Sequence, residues 1–216
     1  MKGFITGCDA KTEWQLEWFL ENYLKHNDLP IYFCDFGVTD EKRAWIYQVS
    51  EFADIYHVPK QRAVGWFYKP SAMLHSPLSE TVWLDTDMEI LGDISGVFDY
   101  IEDNRLAMVE DKPWTKRRGE KWHNSGLVGF RGKPPILKTW YDLTQANPQI
   151  GDQEVLHMYL REDPLRRLTY ISDVPNIYNW LRLQVEHDNQ NSWEKLIMHH
   201  TGEKGNNQIR KLMYNG

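Results

Sequence analysis

The chain has 216 residues, with 25 Lys and Arg against 31 Asp and Glu, a formal charge of −6. That length suits one domain, residues 1–216, with a sizeable core, and a pI near 5.8 argues against nucleic acid as a partner. The longest run without formal charge, residues 70–79, is too short for a transmembrane segment. No basic stretch followed by an apolar run opens the chain, so no secretory signal is expected. Cys8 and Cys34 are too few for a disulfide framework and point to a reducing, cytoplasmic setting. The 10 Trp, 11 Tyr and 8 Phe stand out in a chain of mean hydropathy −0.63. Such rings serve as core or as platforms for sugars and bases, and composition does not choose.

In chain order, residues 3–8 read as a short buried strand. Thr12 with Gln15 makes a capping-box pattern, and Trp14, Trp18, Phe19 and Tyr23 recur at helical spacing, predicting a helix over 12–26. A second strand covers 30–36, and Thr39 caps a helix whose buried side includes Ala44, Trp45 and Val49. A third strand covers 53–58. This β-α-β-α-β rhythm predicts an α/β fold with a mostly parallel sheet wrapped by helices. Beyond it come a helix over 69–75 and strands at 81–84, 106–109 and 127–130. Residues 111–122 form a polar loop, followed by helices over 135–145 and 152–160 and a less regular end.

Ligands of open α/β sheets gather at the carboxyl ends of the strands. Three polar clusters fall there: Thr6-Gly7-Cys8-Asp9, Asp35-Phe36-Gly37 and Asp85-Thr86-Asp87. An Asp-x-Asp triplet is common by chance, but this one directly follows the apolar Thr81-Val82-Trp83-Leu84. Residues i and i+2 on extended backbone point the same way, so both carboxylates could hold one hard divalent cation and leave positions for phosphate oxygens. The bland alternative is a pair of solvated turn carboxylates. A phosphatase of the haloacid-dehalogenase type, with Asp85 as nucleophile, uses the same triplet, but normally on its first strand. A non-catalytic carbohydrate-binding protein would instead use the tryptophans. A second cluster, Met198-His199-His200-Thr201-Gly202-Glu203-Lys204, offers imidazole beside an anion-binding lysine. Imidazole added to carboxylates moves the expected metal from Mg²⁺ towards Mn²⁺. Taken alone, it reads as surface histidines.

Together these segments resemble the retaining GT-A-fold glycosyltransferases of the glycogenin and lipopolysaccharide galactosyltransferase family, glycosyltransferase family 8. Trp83-Leu84-Asp85-Thr86-Asp87 with Leu91-Gly92-Asp93-Ile94 resembles the family's metal-binding strand. His123-Asn124-Ser125-Gly126 is similar to its Asn-Ser/Ala-Gly strand, Gly151-Asp152-Gln153 to its Asp-Gln helix start, and His199-His200-Thr201-Gly202 to its closing His-x-x-Gly. The resemblance implies a GT-A (Rossmann-like) fold and a nucleotide-sugar donor, a UDP-sugar. The acceptor, whether glycan, lipid-linked or protein, is left open. It implies Mn²⁺, with Mg²⁺ as the other candidate, on Asp85, Asp87 and His199. Thr6, Gly7 and Cys8 would line the base, and Lys69, Asp85 and Thr86 would contact the donor. Asn124, Asp152 and Gln153 would surround its sugar, the last two supporting a positive anomeric centre. Asp152 could equally be an ordinary helix cap. The family often has Lys-Pro-Trp after its His-x-x-Gly; here Glu203-Lys204-Gly205-Asn206 displaces the diphosphate lysine, Lys204. In the 111–122 loop, five basic residues accompany Trp114 and Trp122, the makeup of an acceptor or diphosphate lid or of a solvated loop. With Trp66, these two tryptophans are the candidates for sugar contact, whereas Trp14, Trp18 and Trp45 look like core.

Overall fold

A computed structural model describes residues 1–49, 52–57, 65–188 and 193–215. Strands β1 (Lys2–Cys8), β2 (Ile31–Asp35) and β3 (Phe52–His57) alternate with helices α1 (Leu16–Leu24) and α2 (Asp40–Gln48), as the apolar rhythm predicts. Helix α3 (Lys69–Leu74) leads into β4 (Glu80–Leu84). After β5 (Met88–Ile90) come β6 (Leu106–Glu110), α4 (Lys112–Arg118), β7 (His123–Arg131), α5 (Pro135–Ala146) and α6 (Asp152–Arg161). The chain closes with α7 (Pro164–Tyr170), β8 (Ile171–Val174), β9 (Trp180–Leu181), α8 (Arg182–Asp188), β10 (Ile197–His199) and α9 (Gly202–Asn215). The main sheet runs β3-β2-β1-β4-β7-β6-β8, and a small sheet runs β5-β10-β9.

β1 to β4 are mutually parallel, while β7 is antiparallel to both β4 and β6. From β1 the order runs outward to β2 on one side and to β4 on the other. Their carboxyl ends therefore meet at a switch point, where open sheets bind ligands. Because β7 runs the opposite way, its start lies at this same edge. Leu84 pairs with Leu127, and the Asp85 N–H donates to the Gly126 carbonyl at 3.0 Å. Alternation along the strands splits the core between the two faces. Phe4, Phe33 and Val82 pack on one side, and Ile5, Cys34 and Trp83 on the other. Each fully buried side chain of this size contributes about 1.5–3 kcal/mol relative to exposure.

Several local expectations give way to tertiary packing. Thr39 does cap α2, accepting from the Lys42 N–H at 3.2 Å. Thr12 makes no cap bond; its hydroxyl donates to Asp9 Oδ1 at 3.2 Å, and the Gln15 side chain is buried and committed to Thr86 and Asn206. In α2 only Ile46 is buried; Ala44 is exposed, and Trp45 and Val49 are half-buried. Residue 58 of the third predicted strand lies outside the described residues, as does the Trp66 side chain. The loop predicted over 111–122 contains helix α4, started by Asp111 accepting from the Trp114 N–H at 3.1 Å and ended by Gly119 in the left-handed region. The irregular end is helix α9. Gly205 there lies against the His200 backbone, where a Cβ would overlap the carbonyl oxygen, and Ile209 is fully buried. Cys8 and Cys34 are both buried. Gly7, not Cys8, pairs with Cys34, so the two thiols fall on opposite faces of the sheet.

Candidate active site

Asp85 and Asp87 occupy the turn between β4 and β5. The antiparallel pairing of β10 with β5 sets His199 opposite Met88. This pairing carries the imidazole to the carboxylates across more than a hundred residues. His199 Nε2 lies 3.0 Å from Asp87 Oδ1 and 4.0 Å from Asp85 Oδ2. The three ligand atoms fall within 4.8 Å of one another. Two carboxylate oxygens and one imidazole nitrogen are a fitting donor set for Mn²⁺, and a tolerable one for Mg²⁺. The strand opposite is shaped to this arrangement. At Gly126 a Cβ would overlap His199 Cε1 and approach Met88 Cε and Asn124 Oδ1 to 2.8 and 2.9 Å. His200 points elsewhere, to Glu89 at 2.9 Å and Gln208 at 3.1 Å.

Burial, foremost, raises the Asp85 pKa, with Lys69 opposing and the Asp87 charge adding to the rise. At Asp87 burial pushes the same way, but His199 outweighs it and the pKa falls. At His199 burial opposes the charge, and Asp87 overcomes it and raises the pKa. A second cation sits behind the pair. Lys69, the first residue of α3, is buried, with Nζ 3.2 Å from Asp85, 3.2 Å from Asp152 and 3.1 Å from Ser125 Oγ. Burial works against its charge, but Asp152 and then Asp85 hold its pKa above the ordinary lysine value. Asp152 is not the helix cap: Gly151 takes that position, and the Asp152 carboxylate is committed to Lys69.

The residues expected around the sugar form one network. Asn124 Nδ2 donates to Asp111 Oδ2 at 3.1 Å and to Gln153 Oε1 at 3.1 Å, and Gln153 Nε2 donates to the same Asp111 oxygen at 3.0 Å. The Ser125 N–H donates to Gln153 Oε1 at 3.2 Å. Asn179, fully buried, donates to Asn124 Oδ1 and accepts at the His199 ring, both at 2.9 Å. Neither Asp111 nor Asn179 was anticipated. Asp111 carried a signal, since it directly follows the apolar strand β6 as Asp85 follows β4. Asn179 carried none, because only the pairing of β9 with β10 brings it to His199.

Two cavities of about 290 and 250 Å³ meet here, sharing Lys69, Asp85 and Asp87. The first is also lined by Gly7, Cys8, Phe36, Thr86 and Asn206; the second by Asn124, Ser125, Asp152, Gln153 and His199. Two expected donor contacts lie outside both. Thr6 is fully buried and donates its hydroxyl to the Leu84 carbonyl at 2.8 Å, tying β1 to β4. Lys204 is exposed on the first turn of α9, where its charge acts on Glu186. Trp122 is likewise no open platform: it is buried and stacked on His157, with ring centroids 3.6 Å apart, and also stacks with Trp114. Trp114 is half-buried, with Arg117 and Arg118 over its ring.

No protein-family model and no curated protein matches the chain. Among solved structures, the galactosyltransferase LgtC, in complex with donor and acceptor sugar analogues, matches with TM-score 0.67 and 12% identity over 100% of this chain and 96% of its own. The apo form of the glycosyltransferase GlyE of Streptococcus pneumoniae TIGR4 matches with TM-score 0.70 and 19% identity, over 94% of this chain and 55% of its own. The bifunctional glycosyltransferase WbbM matches with TM-score 0.60 and 10% identity, over 93% and 46%. The chain spans about half the length of GlyE and WbbM. At these identities the likeness establishes the architecture alone: the GT-A fold that the motif resemblance implied.

Proposed function

We propose that the protein is a metal-dependent glycosyltransferase. It would move a sugar, with retention, from a nucleotide-sugar donor (a UDP-sugar) to a glycan, lipid-linked or protein acceptor. The observation that carries this reading is the convergence of Asp85, Asp87 and His199 beside Lys69, where the two cavities join. A divalent ion held by those three ligands, Mn²⁺ by preference, would supply Lewis-acid stabilisation of the departing diphosphate. Lys69 contributes a second positive charge. Its ammonium is already fixed by Asp85 and Asp152, so little reorganisation accompanies bond cleavage. The nucleotide fits the cavity along Gly7, Cys8 and Thr86, where the Phe36 ring stacks with Tyr68 and Trp83.

The sugar fits the second cavity. Gln153 Oε1 is taken by the Ser125 N–H and Asn124, and one Nε2 hydrogen by Asp111, which leaves the other Nε2–H to donate to a sugar oxygen. The carboxylates lining this cavity are Asp85, Asp87 and Asp152. The first two are the metal ligands, and Asp152 is paired with Lys69. Among the described residues, an acceptor hydroxyl therefore meets no unengaged carboxylate there. This suits transfer on the same face, in which the leaving phosphate oxygen takes the acceptor proton.

A thermal-shift panel of nucleotide sugars, with and without Mn²⁺, tests the reading. A donor at about 100 times its Kd stabilises by about 2.7 kcal/mol, and the shift should require the metal. Slow Mn²⁺-supported hydrolysis of the same donor should vanish with EDTA or in Asp87→Ala. Turnover of a simple phosphomonoester, with no response to any nucleotide sugar, would replace this reading by a phosphatase centred on Asp85.

A further inference from the structure

We infer that Asn179 is the positioning residue that decides which ring nitrogen of His199 faces the metal. It does so through a chain of hydrogen bonds whose direction is set by the backbone. The inference rests on the reading of Asp85, Asp87 and His199 as metal ligands. It starts from a group that cannot be reversed. The Gly126 N–H can only donate, and its partner at 2.9 Å is Asn124 Oδ1. That end of the Asn124 amide is therefore the oxygen. The opposite end agrees, since it donates to the Asp111 carboxylate.

The polarity then propagates. The Asn179 atom 2.9 Å from Asn124 Oδ1 must be the nitrogen, so the Asn179 atom 2.9 Å from His199 Nδ1 is the oxygen. An amide oxygen only accepts, so Nδ1 carries a proton. An imidazole that ligates a metal is neutral and has one N–H; with that hydrogen on Nδ1, the lone pair an ion would take is on Nε2, the nitrogen that faces Asp87 and Asp85. Asn179 is fully buried, so water does not replace either bond when one is lost. The parallel register of Met198 with Trp180 and His199 with Leu181 holds the amide beside the ring. One polar chain thus joins the sugar-side amides to the metal ligand: Asp111, Asn124, Asn179, His199.

The test combines nitrogen-labelled histidine NMR of the full chain loaded with diamagnetic Cd²⁺ and Mn²⁺ titration followed by EPR. In the wild-type protein His199 should show a protonated Nδ1 and a metal-bonded Nε2. In Asn179→Ala the Mn²⁺ affinity should fall about 10–100-fold, the usual cost of losing such a supporting bond. Asn179→Asp keeps an oxygen against Nδ1 and, with its other oxygen protonated and donating to Asn124 Oδ1, should retain the Nδ1 proton and most of the affinity. A metal-bonded Nδ1 in the wild-type protein overturns the inference without any variant, so it stays decidable even if Asn179→Ala fails to fold. Equal Mn²⁺ affinity in wild type and folded Asn179→Ala also overturns it while leaving the metal site intact. Absence of Mn²⁺ binding by the wild-type protein overturns the metal reading and this inference with it.

Discussion

Lys69→Met leaves the apolar stem in place and removes the ammonium from between two carboxylates. Lys69 Nζ lies 3.2 Å from both Asp85 and Asp152, and its side chain is 5% exposed. At that separation one ion pair is worth about 1 kcal/mol in bulk water and about 5 kcal/mol at an effective dielectric constant of 20. Desolvation offsets much of this in the wild-type protein. The variant keeps the desolvated anions and loses their partner, a change that costs about 3–5 kcal/mol when a buried pair is broken. Against a domain stability of about 5–15 kcal/mol, urea denaturation should show a large drop in midpoint at unchanged slope. Adding Asp152→Asn should restore part of the loss, because it removes one of the stranded charges. Mn²⁺ should stabilise Lys69→Met at least as strongly as it does the wild type. A loss below about 1 kcal/mol, the range of a surface pair, would show that Asp85 and Asp152 do not depend on Lys69, and the electrostatic account of the site would be wrong.

Gly126→Ala places a methyl group against the His199 ring, Met88 and Asn124, so the imidazole must turn away from Asp85 and Asp87, where the proposed ion would sit. Mn²⁺ titration should show affinity reduced by about tenfold or more, and unchanged affinity would contradict the assignment of His199. Asp111→Ala strands two amide donors and removes the cap of α4. The expected loss is about 2–4 kcal/mol, from about 1–3 for unsatisfied buried donors and about 1 for the cap. A denaturation midpoint like that of wild type would refute the network.

At Asp35, burial is outweighed by hydrogen bonds from Arg43 and from the Gly37 and Val38 N–H groups, and the pKa is lowered. A depressed carboxylate pKa contributes stability above the unfolded value of about 3.9, and that contribution disappears as pH falls through the folded value. The stability gap between wild type and Asp35→Asn should therefore be full at pH 6 and shrink below about pH 4. A gap independent of pH would assign it to packing instead.

The first half of the fold was legible because strands β1, β2 and β4 are apolar runs ending in polar turns, and α1 repeats its aromatic residues at helical spacing. The acidic turn was legible for the same reason, since Asp85 and Asp87 directly follow an apolar strand. What escaped depends on distant partners. Gln15, which looked like half of a capping box, bonds Thr86 and Asn206 instead. The α9 segment, rich in glycine and asparagine, is helical because Ile209 is buried and Gly205 allows contact with the His200 backbone. Asn179 gains its place only when β9 pairs with β10. Thr6 was expected at the ligand, yet its hydroxyl is spent on Leu84 in the sheet interior. Local pattern identifies strand ends, where ligands collect; it does not show which side chains there are consumed by the protein itself.

Calorimetric titration of UDP into the wild-type protein, once in Mn²⁺ and once in EDTA, tests the central claim most directly. Binding that requires Mn²⁺ and is lost in Asp87→Ala is the result expected if Asp85, Asp87 and His199 hold the ion that meets the diphosphate. UDP bound equally tightly in EDTA would contradict it.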